Sequence, residues 1–202
     1  GSVDVVLISH DQHLDNLDVS GRAMLPSAGV TYTTRSGAER LGGNARGLAP
    51  FETCMIEGPG GERLLVTATP ARHGPIGVEP ITGDVVGFAL GRERPGDLLY
   101  VTGDTLWYEG TAEVAHRFSP QIVLLFAGAA EPRGRFQVTM GSEGVLEAAH
   151  AFPGAALITA AASTFAAPTL PGPAFPNFAD PNAIAAACQS GLDGAAKRLK
   201  TL

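Results

Sequence analysis

The chain has 202 residues, a net charge of −6 at pH 7, 45% hydrophobic residues and 17% charged residues. That length allows a single domain with a sizeable core, and the hydrophobic content excludes an intrinsically disordered chain. An acidic chain without a basic stripe is a poor partner for nucleic acid, and no apolar stretch is long enough to predict a membrane span. We therefore expect a globular protein with neither a nucleic-acid partner nor a membrane span.

Cysteine usage and the first residues bear on the compartment. Cys54 and Cys188 are the two cysteines and lie far apart in the sequence, which favours free thiols in a reducing environment. No signal peptide precedes Val3, since the chain starts directly on an apolar run. These features predict a cytoplasmic protein.

Short β-rich runs alternate with turn signals and helical patterns along the chain. The glycine-rich stretches 58–61 and 91–96 indicate β-hairpin turns. Strands are predicted over 3–9, 30–34, 54–57, 63–69, 85–90, 97–102, 121–126 and 155–159, and helices over 18–25, 36–41, 111–118, 142–151 and 182–199. This mixture predicts a layered α/β protein with one domain over 1–202, in which the Ala-, Pro- and Phe-rich residues 160–179 form an irregular loop.

The first predicted strand ends in a dense cluster of polar side chains. Two histidines, His10 and His13, and three aspartates follow it within nine residues. Neutral imidazole and carboxylate together suit zinc, manganese or iron, and a strand end holds such ligands rigidly. The alternative is a polar loop with two incidental histidines.

Two later strands end in the same way. His73 follows the strand at 63–69, and Asp104 follows the strand at 97–102. Loops at strand ends bring distant parts of a sequence together, so these side chains are candidates for the same site. Each candidate also has a structural alternative. His73 could be an ordinary turn histidine, and Asp104 could form an Asx-turn. Asp15 could be a helix N-cap, and His13 could be a solvent-facing loop residue.

Three segments of the sequence together resemble the metallo-β-lactamase superfamily, in particular its ascorbate-6-phosphate-lactonase-like and phosphodiesterase-like hydrolases. They are His10-Asp11-Gln12-His13-Leu14-Asp15-Asn16-Leu17-Asp18, Thr69-Pro70-Ala71-Arg72-His73 and Thr102-Gly103-Asp104-Thr105. The resemblance implies an αββα sandwich with a metal site at one edge of its two sheets.

The resemblance also implies roles for individual residues. His10, His13, Asp15, His73 and Asp104 would bind one or two divalent ions, zinc or manganese, and Asp15 and Asp104 would be catalytic. The implied reaction is hydrolysis of a lactone, ester or phosphodiester by a water molecule that the metal activates as hydroxide.

Three residues near these ligands are candidates for contact with a small-molecule substrate, which is possibly anionic. Arg72 could bind a phosphate or carboxylate through its guanidinium group, although a structural ion pair is an alternative. Trp107 and Tyr108 follow the Asp104 loop and could line a pocket, or they could plug the space beneath that loop.

The sequence departs from the superfamily pattern at three ligand positions. Gln12 stands where the second histidine is expected, so His13 fits only if the loop carries one extra residue. Asn16 and Ala161 stand where two further histidines are expected, and alanine cannot bind a metal. The strands that usually precede the motif are missing as well, and an uncovered sheet edge would make a homo-oligomer possible. A single metal ion, or a non-catalytic protein with a binding or structural role, is therefore the alternative to a full two-metal hydrolase.

Overall fold

The computed structural model describes residues 3–58, 60–131 and 136–161. Each of the eight predicted strands is present, as are the first four predicted helices. The strands are β1 (Val5–Leu7), β2 (Val30–Thr33), β3 (Ala45–Gly47), β4 (Thr53–Glu57), β5 (Arg63–Pro70), β6 (Val86–Gly91), β7 (Leu99–Asp104), β8 (Ile122–Ala127) and β9 (Ala156–Ala161), and the helices are α1 (Val19–Met24), α2 (Arg35–Leu41), α3 (Glu79–Thr82), α4 (Glu109–Arg117) and α5 (Ser142–Ala151).

Some predictions fall beyond these residues. The helix predicted over 182–199 and all but the start of the irregular stretch 160–179 lie outside the described residues, and β9 runs on to Ala161. The extent of the single domain over 1–202 therefore stays a prediction. None of the described helices is long and apolar enough to cross a membrane.

The strands form two sheets. The smaller sheet has the order β1-β2-β3 and is parallel. The larger has the order β4-β5-β6-β7-β8-β9, antiparallel from β4 to β7 and parallel from β7 to β9. The glycine-rich stretches join β4 to β5 and β6 to β7, as the sequence predicted.

Three apolar clusters bind four layers together. Between the sheets, Leu7 and Tyr32 of the smaller sheet pack against the cluster that contains Val66 and Phe88 of the larger one. The outer face of the larger sheet packs on α4 and α5 through the cluster that includes Tyr100, Leu125, Val114 and Ala148. The outer side of the smaller sheet carries the cluster of Ile8, Leu17 and Leu25, with Leu41 of α2 packed against it. The result is the αββα sandwich that the superfamily resemblance implied.

Two short elements escaped sequence analysis. β3 has three residues at the edge of the smaller sheet, and α3 has four residues with a proline in its first turn. Neither length is enough for a hydrophobic period to become visible. Tertiary pairing, not local pattern, establishes both.

The fold brings three loops to one edge of the sandwich. β5 and β7 each pair antiparallel with β6 and so run in the same direction, which places their carboxyl ends together. The loop after β1 is fastened to the start of β6, where the Val86 amide donates a hydrogen bond of 3.0 Å to the Ser9 carbonyl. The polar residues after β1, β5 and β7 therefore meet.

Candidate metal centre

Three histidines from two of these loops converge at that edge. His10 Nε2 lies 3.2 Å from His13 Nδ1, and His73 Nε2 lies 3.3 Å from the same His13 atom. One ligand nitrogen from each histidine falls within 4.8 Å of the other two. His10 and His73 are buried, whereas His13 is partly exposed, so the cluster opens to solvent on the His13 side.

The remaining ring nitrogens of His10 and His73 are held by neighbouring groups. His73 Nδ1 lies 2.7 Å from the Val138 carbonyl oxygen. A carbonyl can only accept, so Nδ1 carries the proton and Nε2 presents a lone pair to the cluster. Nδ1 of His10 lies 3.0 Å from Ser9 Oγ, which itself donates to Asn16 Oδ1. Such outer contacts fix the ring orientation of metal-binding histidines.

Burial keeps these imidazoles neutral. It lowers the pKa of His10 to about 3, with a further decrease from the positive charge that His73 and His13 would carry when protonated. Burial also lowers the pKa of His73. Neutral imidazole is the form that binds a metal ion, so protons do not compete for His10 at physiological pH.

Asp104 adds a carboxylate to the cluster. Its Oδ2 lies 3.7 Å from His73 Nε2, and burial, together with the nearby negative charge of Asp15, raises its pKa to about 6. Gly103 aims this side chain, because its φ of +64° belongs to the left-handed region. A Cβ there would also lie 2.8 Å from the Val86 carbonyl oxygen.

Asp15 and Asn16 lie at the exposed side of the cluster. Asp15 is close enough for its negative charge to act on His10, His73 and Asp104. Asn16 stabilises the loop instead, since its Nδ2 donates a hydrogen bond to the His10 carbonyl and thereby closes the turn that carries His10.

The loop after β1 carries one residue more than the superfamily motif, and the side chains of Asp11 and Gln12 turn to opposite sides of it. Asp11 turns into the protein, where it is 3% exposed, and binds Arg40 of α2. Gln12 points outward and lies against Gly83 so closely that a Cβ at Gly83 would collide with its amide. His13 then reaches the position opposite His10. Sequence analysis missed Asp11, Arg40 and Ser9, because each acts through a contact that no motif encodes.

This donor set fits a divalent metal ion. Two nitrogens that each bind a tetrahedral zinc ion at about 2.05 Å lie roughly 3.3 Å apart, close to the 3.2 and 3.3 Å found here. Three imidazoles and one carboxylate are ligands that zinc and manganese accept. His116 and His150, the other two histidines of the chain, are exposed on α4 and α5.

The three candidate substrate contacts are placed differently. Arg72 and Tyr108 line a cavity that also has His73 in its wall, and the Arg72 guanidinium lies 4.2 Å from the Tyr108 ring centre. Trp107 instead packs against the core cluster beneath the larger sheet, next to Gly144 of α5. Its role as a substrate contact stays a prediction.

Residues 1–160 match the family described as the Beta-lactamase superfamily domain. This chain belongs to the metallo-β-lactamase superfamily. The UPF0173 protein YddR of Bacillus subtilis (strain 168) is 28% identical over 160 residues, which are 78% of this chain and 61% of that protein.

Solved structures of metallo-β-lactamase fold proteins agree with this membership. The isothiocyanate hydrolase from Delia radicum gut bacteria is 25% identical, with a TM-score of 0.62 over 78% of this chain and 62% of that one. A possible metal-dependent hydrolase from Veillonella parvula DSM 2008 is 21% identical, with a TM-score of 0.65 over 78% and 61%. The chain thus spans about three fifths of the length of these relatives. The superfamily and the histidine cluster together support a divalent-metal site in a hydrolase fold.

Proposed function

We propose that this protein is a hydrolase whose single divalent metal ion, zinc or manganese, is held by His10, His13, His73 and Asp104. The observation that carries the proposal is the convergence of three imidazole nitrogens within 4.8 Å, two of them buried and neutral, beside a carboxylate. The imidazoles of His10 and His73 are costly to bury with their Nε2 atoms turned toward the cluster, and a metal ion bound by all three histidines would satisfy them.

A bound divalent ion supplies Lewis acidity, which lowers the pKa of water from about 16 toward 7 and stabilises negative charge that develops on the substrate. Asp15, at the exposed side of the cluster, orients the attacking water and accepts its proton. Asp104, which would hold the ion beside His73, is the second carboxylate proposed to act in catalysis, through a hydrogen bond that it accepts from the same water.

The proposed substrates are lactones, esters or phosphodiesters, whose hydrolysis places negative charge on an oxygen atom near the ion. Arg72 and Tyr108 would contact the substrate from the cavity beside His73. Trp107, which packs in the core beneath the same loop, would act indirectly by holding Tyr108 in position.

One ion is proposed because the ligands of a second are reduced. Asn16 is engaged with the His10 carbonyl, and β9 ends in Ala160 and Ala161, where the superfamily motif has a histidine. Asp15 and Asp104 alone leave a second ion with few protein ligands.

The test is turnover of chromogenic esters, lactones and phosphodiesters by purified protein. We expect hydrolysis that a chelator abolishes and that added zinc or manganese restores. Asp15→Asn should lower kcat by about 100-fold or more, whereas Asp18→Asn, at an exposed helix N-cap, should leave kcat unchanged. Hydrolysis that persists in chelator would contradict the proposal.

The departures at Gln12, Asn16 and Ala161 favour a second candidate, a non-catalytic protein that keeps the fold for a binding or structural role. The two candidates differ in one measurement. If neither zinc nor manganese co-purifies, and neither raises the melting temperature when added, the non-catalytic role replaces the hydrolase.

A further inference from the structure

The cavity beside the metal centre has a volume of about 480 Å³, which suits a small organic molecule. Its lining comes from separate parts of the chain: the start of α2, the loop after β3, the long segment from Ala71 to Val86, and Tyr108. His73 belongs to this lining and to the histidine cluster. The cavity therefore adjoins the metal centre at His73.

Arg72 brings a largely uncompensated positive charge to this cavity. Its side chain is 25% exposed, and its ion-pair partner among the described residues, Glu109, is 91% exposed and 3.9 Å away. Arg72 Nε is enclosed and has no hydrogen-bond acceptor among the described residues. The stack on Tyr108 at 4.2 Å holds the guanidinium in place. An anion that reaches its exposed end would relieve a charge that the protein leaves poorly paired.

The other charged groups in the lining are already engaged. Arg35 is paired with Glu52 at 3.3 Å. Asp84 accepts a hydrogen bond of 2.7 Å from the Ser36 hydroxyl, and Glu79 accepts one of 2.7 Å from the Gly77 amide. These two acids make the cavity unfavourable for a doubly charged ligand. A single negative charge balances Arg72, and these acids repel it half as strongly as they repel a double charge at the same distance.

We infer that Arg72 forms a carboxylate-binding subsite, and that the substrate is a singly charged ester or lactone whose free carboxylate is bound there. The second half of this inference rests on the proposed function. A guanidinium binds a carboxylate through two parallel N–H donors, and the anchored end would orient the ester toward His73 and the metal centre. Glu109, exposed at the first turn of α4, is the side chain that such a carboxylate displaces.

Binding is tested by calorimetry at pH 7.5 with chelated protein, so that neither turnover nor a bound ion contributes. The ligands are monomethyl glutarate, which has one carboxylate and one ester, its neutral dimethyl ester, and inorganic phosphate, which is mostly doubly charged. We expect monomethyl glutarate to bind about tenfold more tightly than either of the others. Equal binding of the neutral diester would overturn the subsite, and tighter binding of phosphate would overturn its preference for a single charge.

Four variants separate Arg72 from its surroundings. Arg72→Met should weaken monomethyl glutarate binding about tenfold, and Arg72→Lys should fall between it and the unchanged protein. Glu109→Gln removes the competing carboxylate and should strengthen binding about twofold. Arg63→Met, the matched control, removes a guanidinium that pairs with Glu57 at the start of β5 and lies outside the cavity lining, so it should leave binding unchanged. Wild-type affinity in Arg72→Met would overturn the inference, and the Lys variant keeps the test valid if the Met variant folds poorly.

The metal-loaded protein then links the subsite to hydrolysis. We compare kcat/KM for mono-4-nitrophenyl glutarate with that for neutral 4-nitrophenyl butyrate. The unchanged protein should prefer the charged ester about tenfold, and Arg72→Met should lose this preference. If neither ester is cleaved, the proposed function fails while the binding result stands. If both are cleaved equally before and after the substitution, the subsite fails while the hydrolase stands.

Discussion

Arg40 on α2 donates hydrogen bonds to the carboxylate of Asp11, from Nη2 to Oδ1 at 2.6 Å and from Nε to Oδ2 at 3.0 Å. Arg22 approaches from the neighbouring helix and donates a hydrogen bond of 2.6 Å to the Asp11 backbone carbonyl. Asp11 is the residue between His10 and the outward-facing Gln12. Its two arginine contacts therefore set the path by which the longer loop delivers His13 to the centre.

Replacement of Arg40 should disturb both stability and the centre. Arg40→Met leaves the buried Asp11 carboxylate without its main partner, which we expect to cost about 1–3 kcal/mol, less than a fully buried pair because Arg40 is half exposed. The loop should then hold His13 less firmly, so zinc affinity should fall about tenfold. Urea unfolding of chelated protein and competition with a zinc-binding dye measure the two effects.

Arg35→Met is the control for that variant, because Arg35 lies on the same helix but pairs with the exposed Glu52. It should cost less than about 1 kcal/mol and leave zinc affinity unchanged. Equal zinc affinity in the Arg35→Met and Arg40→Met proteins would mean that the Asp11 contact does not position His13.

The Ser9 hydroxyl should raise the metal affinity of the same centre through its contact with His10. Ser9→Ala removes the hydroxyl that orients His10 through Nδ1, and loss of such an outer contact typically weakens metal affinity about 10- to 100-fold. Ser20→Ala is the control, since its hydroxyl lies at the exposed start of α1 and bonds Asp18. Unchanged zinc affinity after Ser9→Ala would show that the hydroxyl has no orienting role.

Added metal should stabilise the fold. Zinc or manganese at 100 times its Kd contributes about 2.7 kcal/mol, which corresponds to a rise in Tm of roughly 5–10 °C for a chain of this size. Differential scanning calorimetry with and without chelator measures it. His13→Ala should lose most of the rise and His150→Ala should keep it; a rise of equal size in both would place the ion elsewhere.

The stability of the metal-free protein should decrease in acid. The pKa of His10 is 6.5 in an unfolded chain and about 3 in the folded one, so the unfolded state binds the extra proton between these values. The free energy of unfolding should therefore fall as the pH drops below about 6.5, by at most about 1.4 kcal/mol per pH unit for each proton. His73 acts in the same direction.

Asp104 opposes this loss of stability in acid. Its pKa is about 6 in the folded chain and 3.8 in the unfolded chain, so between these pH values the folded state holds the extra proton. Two histidines outweigh one aspartate. Urea unfolding at pH 7.5, 6.5 and 5.5 in chelator measures the slope. His10→Asn should flatten it and His150→Asn should not; a stability that rises toward pH 5.5 would contradict the burial of neutral histidines.

Hydrophobic runs predicted a layered α/β protein and the strand ends that carry His10, His73 and Asp104, because such runs and their polar ends are local features. The αββα order of the layers came from the resemblance to the superfamily. The sequence could not decide whether His13 reaches the centre. That outcome depends on Arg40, which lies 29 residues from Asp11 in the chain and meets it only when α2 packs on the smaller sheet.

Neighbouring residues with similar chemistry were equally hard to separate. Trp107 and Tyr108 are adjacent and aromatic, yet Trp107 packs toward α5 while Tyr108 lines the cavity. The turn from β7 into α4 decides which of them faces the cavity, and no periodic pattern extends through a turn. β3 and α3 were missed for a related reason, since three or four residues are too few to show a period.

Metal content per chain decides whether His10, His13 and His73 hold a metal ion. We would purify the unchanged protein with His73→Ala and His116→Ala, dialyse each against buffer without metal, and count zinc and manganese per chain by atomic emission. We expect about one ion per chain in the unchanged protein and in His116→Ala, and a loss of nearly all metal in His73→Ala. Equal metal content in the two variants would contradict this expectation.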